Sequence, residues 1–130
     1  MTTLIVTACG AKKNDQPMEA WKLYKSPRIR LIHHRKGEYP MAILSAKYGL
    51  IDSEEIIEPY DQKMDQIRAQ ELVPIVIEII KEYDKIVFFK GGSSKPYLEC
   101  LGTACEQASV DFTPFGYANM GDINDLQKHL

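Results

Sequence analysis

Lysines, glycines, small hydroxyl residues and one cysteine gather at the ends of three apolar runs. Leu4-Ile5-Val6 runs out through Thr7-Ala8-Cys9 into Gly10, Lys12 and Lys13. Met41-Ala42-Ile43-Leu44 runs out into Ser45-Ala46-Lys47-Tyr48-Gly49, and Ile86-Val87-Phe88-Phe89 into Lys90-Gly91-Gly92-Ser93-Ser94-Lys95. These residue types suit the binding of an anion, because ammonium groups bring charge while hydroxyls and exposed backbone N–H groups bring donors. Three parallel strands would deliver these ends to one rim, and ligands of open α/β sheets bind outside the carboxyl ends of the strands.

Each stretch has a functional and a plain structural reading. Cys9-Gly10-x-Lys12-Lys13 is either an anion cradle or a buried cysteine beside two solvated lysines. It has neither Walker spacing nor a GxGxxG pattern. Cys9 is a candidate nucleophile, with no histidine evident as its base. Ser45 and Lys47 could hold a phosphate or carboxylate, with Tyr48 stacking on a base and Gly49 making the turn. Glu58-Pro59-Tyr60-Asp61 offers two carboxylates around a stiff proline. Glu58 and Asp61 are candidates for general acid/base work, with Tyr60 as a ligand contact. Gly91, Gly92, Ser93 and Ser94 precede a helix start and could cradle an anion with help from the helix dipole. Lys95 would clamp it and Tyr97 would contact a base; a flexible turn with an N-cap explains the glycines and serines but leaves the flanking lysines without a reason. His33 and His34 are adjacent and point apart on a helix, so no metal site is expected, and no cofactor is called for. Cys100 and Cys105 lack CxxC spacing and read as core.

The elements that must position these groups alternate. Met18 to Tyr24 reads as a turn or two of helix. Ser26-Pro27 predicts a capped helix that ends near Gly37. Ile51 to Lys63 has no clear period and reads as a long ordered connection. Asp65 to Tyr83 predicts the strongest helix, with Ile67, Leu72, Ile75, Val76, Ile79 and Ile80 as its apolar stripe and a kink or late start at Pro74. Lys85 to Phe89 and Val110 to Phe115 read as strands, the region after Ser94 as a helix, and Asp122 to Leu130 as a short terminal helix. Strands alternating with helices predict a three-layer α/β fold with a mostly parallel sheet of about four strands.

With 130 residues, the chain is expected to form a single α/β domain over 1–130. A net charge of -2 argues against strong non-specific attraction to nucleic acid, though a local basic rim can exist within it. Three cysteines in no disulfide framework, no leader and no membrane-length apolar run lead to the expectation of a cytoplasmic protein that meets no membrane.

TACGAKK, LYKSPRIR, ILSAKYGLI and IEPYD, in that order, resemble motifs of the small domain-of-unknown-function proteins distantly grouped with the peroxide-stress protein YaaA. The likeness covers about the first half of the chain. It implies a three-layer α/β fold and a link to nucleic acid, since YaaA is associated with DNA binding and related domains occur beside base-modification enzymes. Lys95-Pro96-Tyr97 is similar to the Lys-Pro-Tyr of the archaeosine synthase core domain, which modifies a deazaguanine in transfer RNA. The Pro-Cys of that motif is replaced by Lys90-Gly91, its serine by Cys100 and its histidine by Thr103. The expected activity is therefore nucleotide- or nucleobase-directed, as an enzyme of base modification or nucleotide metabolism. The alternatives are a non-catalytic nucleotide or nucleic-acid (DNA or RNA) binding module, or deoxyribosyltransferase-like glycosyl transfer with Glu58 or Asp61 as nucleophile.

Overall fold

The computed structural model describes residues 2–117 and 119–130. At its centre is β1 (Thr3–Ala8), buried along its whole length. It lies parallel to β3 (Met41–Ser45) on one side and to β6 (Lys85–Phe89) on the other. Near-continuous apolar runs form these strands because both of their faces are covered. Leu4 and Val6 point to one face, where α3 (Gln66–Ile80) and α4 (Lys95–Ala108) pack. Ile5 points to the other, beneath α2 (Pro27–Arg35) and the C-terminal helical segment that includes Ile123 and Leu126. The result is the expected three-layer α/β architecture.

The sheet has five strands rather than about four, in the order β4-β3-β1-β6-β7. The additional strand, β4 (Gly49–Asp52), pairs antiparallel with β3, and its second half comes from the stretch expected to be a connection. Its short Leu50-Ile51 core is enough because β3 supplies a template edge and α3 covers it. Within the same stretch, β5 (Ile56–Ile57) pairs with β2 (Met18–Glu19), just before the short helix α1 (Ala20–Leu23). The final strand, β7 (Asp111–Phe115), runs parallel to β6, and the 3-10 turn Met120–Asp125 leads into α5 (Leu126–His129).

Helix α2 begins as its sequence predicts, with the Ser26 hydroxyl accepting from the Ile29 N–H at 3.2 Å and Pro27 at its first position. Helix α3 starts after Asp65, whose carboxylate accepts from the Arg68 N–H at 2.7 Å, and continues through Pro74. Its buried face keeps Leu72, Val76 and Ile80 of the predicted stripe but not Ile67 or Ile75. Ala69, Leu72, Val73, Val76 and Ile80 face the sheet, while Ile67 and Ile75 stand 72% and 48% exposed. Isoleucines occur all round this helix, so apolar spacing alone does not select the face.

The crossovers reverse direction between β1 and β6. The chain leaves β1 through α2 toward β3, and leaves the adjacent β6 through α4 toward β7, in the opposite direction and on the opposite face. Between two such strands the following loops diverge, which is the switch point where open α/β sheets take ligands.

Candidate functional site

Four parallel strands present their carboxyl ends on one rim: β3, β1, β6 and β7. At the end of β1, the Cys9 Sγ lies 3.0 Å from the hydroxyl of Tyr97 in the first turn of α4, so one group donates to the other across the switch point. Arg28 enters from the first turn of α2. Its Nη1 donates to the Ala8 carbonyl at 2.7 Å and to the buried Thr7 hydroxyl. Its Nε lies beside Gly92, 3.8 Å from where a Cβ would stand. The guanidinium thus spans from the end of β1 to the loop after β6. Burial works against its charge, partly offset by the neighbouring Cys9 and Tyr97. A guanidinium nonetheless stays protonated in proteins.

A second group adjoins the first over β3. Ser45, at the end of that strand, donates to the Tyr60 hydroxyl at 2.7 Å, and the Tyr60 and Tyr24 hydroxyls are 2.7 Å apart. The Ser45 oxygen also accepts the backbone N–H groups of Lys47 and Tyr48, which fixes the turn. The Lys13 ammonium stands over the Tyr60 ring, 4.5 Å from its centroid, and 5.7 Å from that of Tyr24. Tyr48 meets Tyr60 edge to face at 5.4 Å and donates to the Glu58 carbonyl. Desolvation, with Cys9 nearby, pushes the phenols of Tyr24, Tyr60 and Tyr97 above their ordinary value. All three are therefore neutral hydroxyls at physiological pH and can donate.

The other expected residues are placed differently. Gly10 packs against Tyr24 and Ser26, and the exposed Lys12 contributes its carbonyl to the Lys25 N–H. Lys47 is exposed above the Tyr48 ring, and Gly49 turns the chain with a φ of +81°. The side chains of Glu58 and Asp61 are exposed on their loop. Lys95 is 83% exposed and pairs with Glu99 along α4, away from Cys9 and Arg28. A Cβ on Gly91 would meet the Tyr117 carbonyl and the Phe89 ring, Gly92 has a φ of +75°, and the Ser93 hydroxyl closes the turn onto the Lys90 carbonyl. These three therefore have structural reasons to be where they are. Ser94 precedes α4 without a side-chain cap. Together with Ser93 it borders a concavity of about 550 Å³ beside the switch point.

Arg28, Thr7 and Tyr24 are the site residues that the sequence does not mark. The Ser26-Pro27 cap is the signal that could have found Arg28, because it fixes where α2 begins and hence which residue faces the end of the preceding strand. Another concavity, of about 630 Å³, lies at the amino ends of the strands beside Tyr39, Pro40 and Tyr83. It is wider, but it lacks a comparable meeting of cations, hydroxyls and a thiol. Among the described residues no group of three or more metal-ligating side chains occurs. Nor, among them, is any helix long and apolar enough to cross a membrane.

Residues 4–110 match the model of a family of unknown function, DUF6884, and the chain belongs to that family. No curated protein and no solved structure matches the chain.

Proposed function

We propose that this member of a family of unknown function binds a nucleotide or nucleobase at the switch point and acts on it, as an enzyme of base modification or nucleotide metabolism. The observation that carries this reading is the meeting of Cys9, Arg28 and Tyr97 where the loops after β1 and β6 diverge. Arg28 and Lys13 supply positive charge for phosphate beside the neutral hydroxyls of Tyr60 and Tyr97. Tyr48 and Tyr97 supply aromatic surface for a base, and Cys9 with Tyr97 supplies a proton-sharing pair at 3.0 Å beside it. The YaaA-like motifs favour the same class, since TACGAKK and ILSAKYGLI carry Cys9, Lys13 and Ser45. Glycosyl transfer through Glu58 or Asp61 has less support, because both side chains stand in solvent outside this group.

A thermal-shift screen tests the reading. Ligand binding to the native state raises the melting temperature by mass action. Nucleoside monophosphates, free nucleobases including deazaguanines, and short oligonucleotides are compared at low salt. A shift with a mononucleotide or base, lost in Arg28→Met, is the expected result. A shift only with oligonucleotides that fades as salt rises would favour the non-catalytic nucleic-acid module instead. No shift with any of them would end the nucleotide reading.

A further inference from the structure

Three hydroxyls sit in a row at the edge of this site, and their protons can be counted. Ser45 accepts two backbone N–H groups, from Lys47 at 3.2 Å and Tyr48 at 3.1 Å, which fills both lone pairs of its oxygen. Its single proton therefore goes to Tyr60, and Tyr60 cannot donate back. Tyr24 is fully buried and its hydroxyl lies 2.7 Å from that of Tyr60; Ser45 is also close to it but has no lone pair left to take its proton. If Tyr60 donated to Tyr24, the Tyr24 proton would be buried with no acceptor, a costly arrangement. Tyr24 must then donate to Tyr60. The Tyr60 oxygen accepts twice, from Ser45 and from Tyr24, and its own proton is left unpaired. No acceptor for it occurs among the described residues.

We infer that Tyr60 is a ligand-binding donor whose free proton, together with the Lys13 ammonium 4.5 Å above its ring, selects an oxyanion such as a phosphate. Both groups donate and neither can accept, so a ligand oxygen bearing negative charge suits them best; a neutral hydroxyl or carbonyl oxygen accepts without the charge assistance, and a group that only donates does not fit. Lys13 uses one proton on the Ala11 carbonyl at 3.1 Å, which holds the ammonium in place and leaves two for the ligand. Charge-assisted bonds of this kind are the stronger class. The arrangement is fixed in advance, since Ser45 is held by the turn and Tyr24 by the core. The inference rests on the reading that this rim binds a ligand, and it names the part of the ligand that meets β3.

The test follows Tyr60 directly in the wild-type protein. With tyrosine labelled at Cζ, inorganic phosphate, adenosine monophosphate and adenosine are titrated in turn and the resonances read by NMR. Tyr83, at the opposite end of the sheet, serves as the internal reference. Phosphate or the monophosphate should move the Tyr60 signal saturably and leave Tyr83 in place. Tyr60→Phe should weaken binding of the same probe roughly tenfold or more. Should that variant fail to fold, the wild-type titration decides alone. If neither oxyanion moves Tyr60, or the monophosphate binds with Tyr60 unmoved, the inference is overturned. Phosphate moving Tyr60 with no added affinity from the nucleoside would uphold the oxyanion site while sinking the nucleotide reading. Adenosine binding with both oxyanions inert at Tyr60 would do the reverse.

Discussion

Arg28 shows how one side chain joins fold and site. It leaves the first turn of α2, bonds the last carbonyl of β1, and reaches Gly92 in the loop after β6. A lysine at this position would keep the charge but lose the rigid guanidinium that sets Nη1 on both Ala8 and Thr7 while its Nε stands beside Gly92. Arg28→Lys should therefore lose about 1–3 kcal/mol of stability in urea unfolding, since the buried Thr7 hydroxyl and the Ala8 carbonyl lose the donor that Nη1 places between them. Calorimetry with whichever mononucleotide shifts the wild type should show binding weakened by roughly tenfold or more. Wild-type stability in this variant would mean that solvent satisfies Ala8 and Thr7 equally well. Wild-type affinity would remove Arg28 from the ligand site. At this scale the sequence is partly legible. Cys9, Ser45, Tyr60 and Tyr97 stand beside turn glycines or at element ends, where a functional reading is natural. Arg28 and Tyr24 sit among helix and core residues, and only the docking of α2 over the end of β1 gives them a role.

Among the elements, α3 separates propensity from packing. Leu72 is fully buried against the sheet, while Ile67, one turn and a half earlier, is 72% exposed. Leu72→Ala should cost about 2–5 kcal/mol by lost burial and a residual cavity. Ile67→Ala should stay within about 0.5 kcal/mol of the parent. Equal losses in the two variants would show that Ile67 is covered in solution. The strands β1, β3 and β6 are legible because each is an uninterrupted apolar run, the signature of a strand buried on both faces. The short strands β4 and β5 are not, since β4 is a brief hairpin return along β3 and β5 draws its stability from Met18–Glu19, distant in sequence. Ile43 fixes Ile51 and Met18 fixes Ile57, and neither pairing leaves a local period. The same dependence hides the closing of Tyr60 onto Ser45, because the loop that carries Tyr60 is positioned by β4 and β5 before it.

Across the whole molecule, the buried acids that lose a proton only at high pH set one collective property. Burial pushes the thiol of Cys100 up to about 11 and that of Cys105 to about 12, from an ordinary 9.0. The phenols of Tyr24, Tyr60 and Tyr97 are raised above 10.0, chiefly by the same desolvation. Each raised value means that the folded state holds a proton the unfolded chain releases. Below pH 9.0 both states keep the cysteine protons, and these groups add no slope. Above that, the unfolded chain binds fewer protons and gains in relative stability. Each group titrating in the unfolded state alone removes about 1.4 kcal/mol per pH unit. The urea midpoint should therefore begin to fall near pH 9.0, while Cys100 and Cys105 are still protonated in the fold. It should steepen above pH 10.0 as the tyrosines of the unfolded chain ionise. Replacing Cys100 and Cys105 by alanine lowers stability at every pH through lost packing, but should delay the onset of the alkaline fall to the tyrosine range. An onset unchanged by that replacement would mean that the thiols are not sealed in the core. A midpoint level through pH 10.0 in the wild type would mean that neither Cys100 nor Cys105 holds its proton more tightly in the fold than in the open chain.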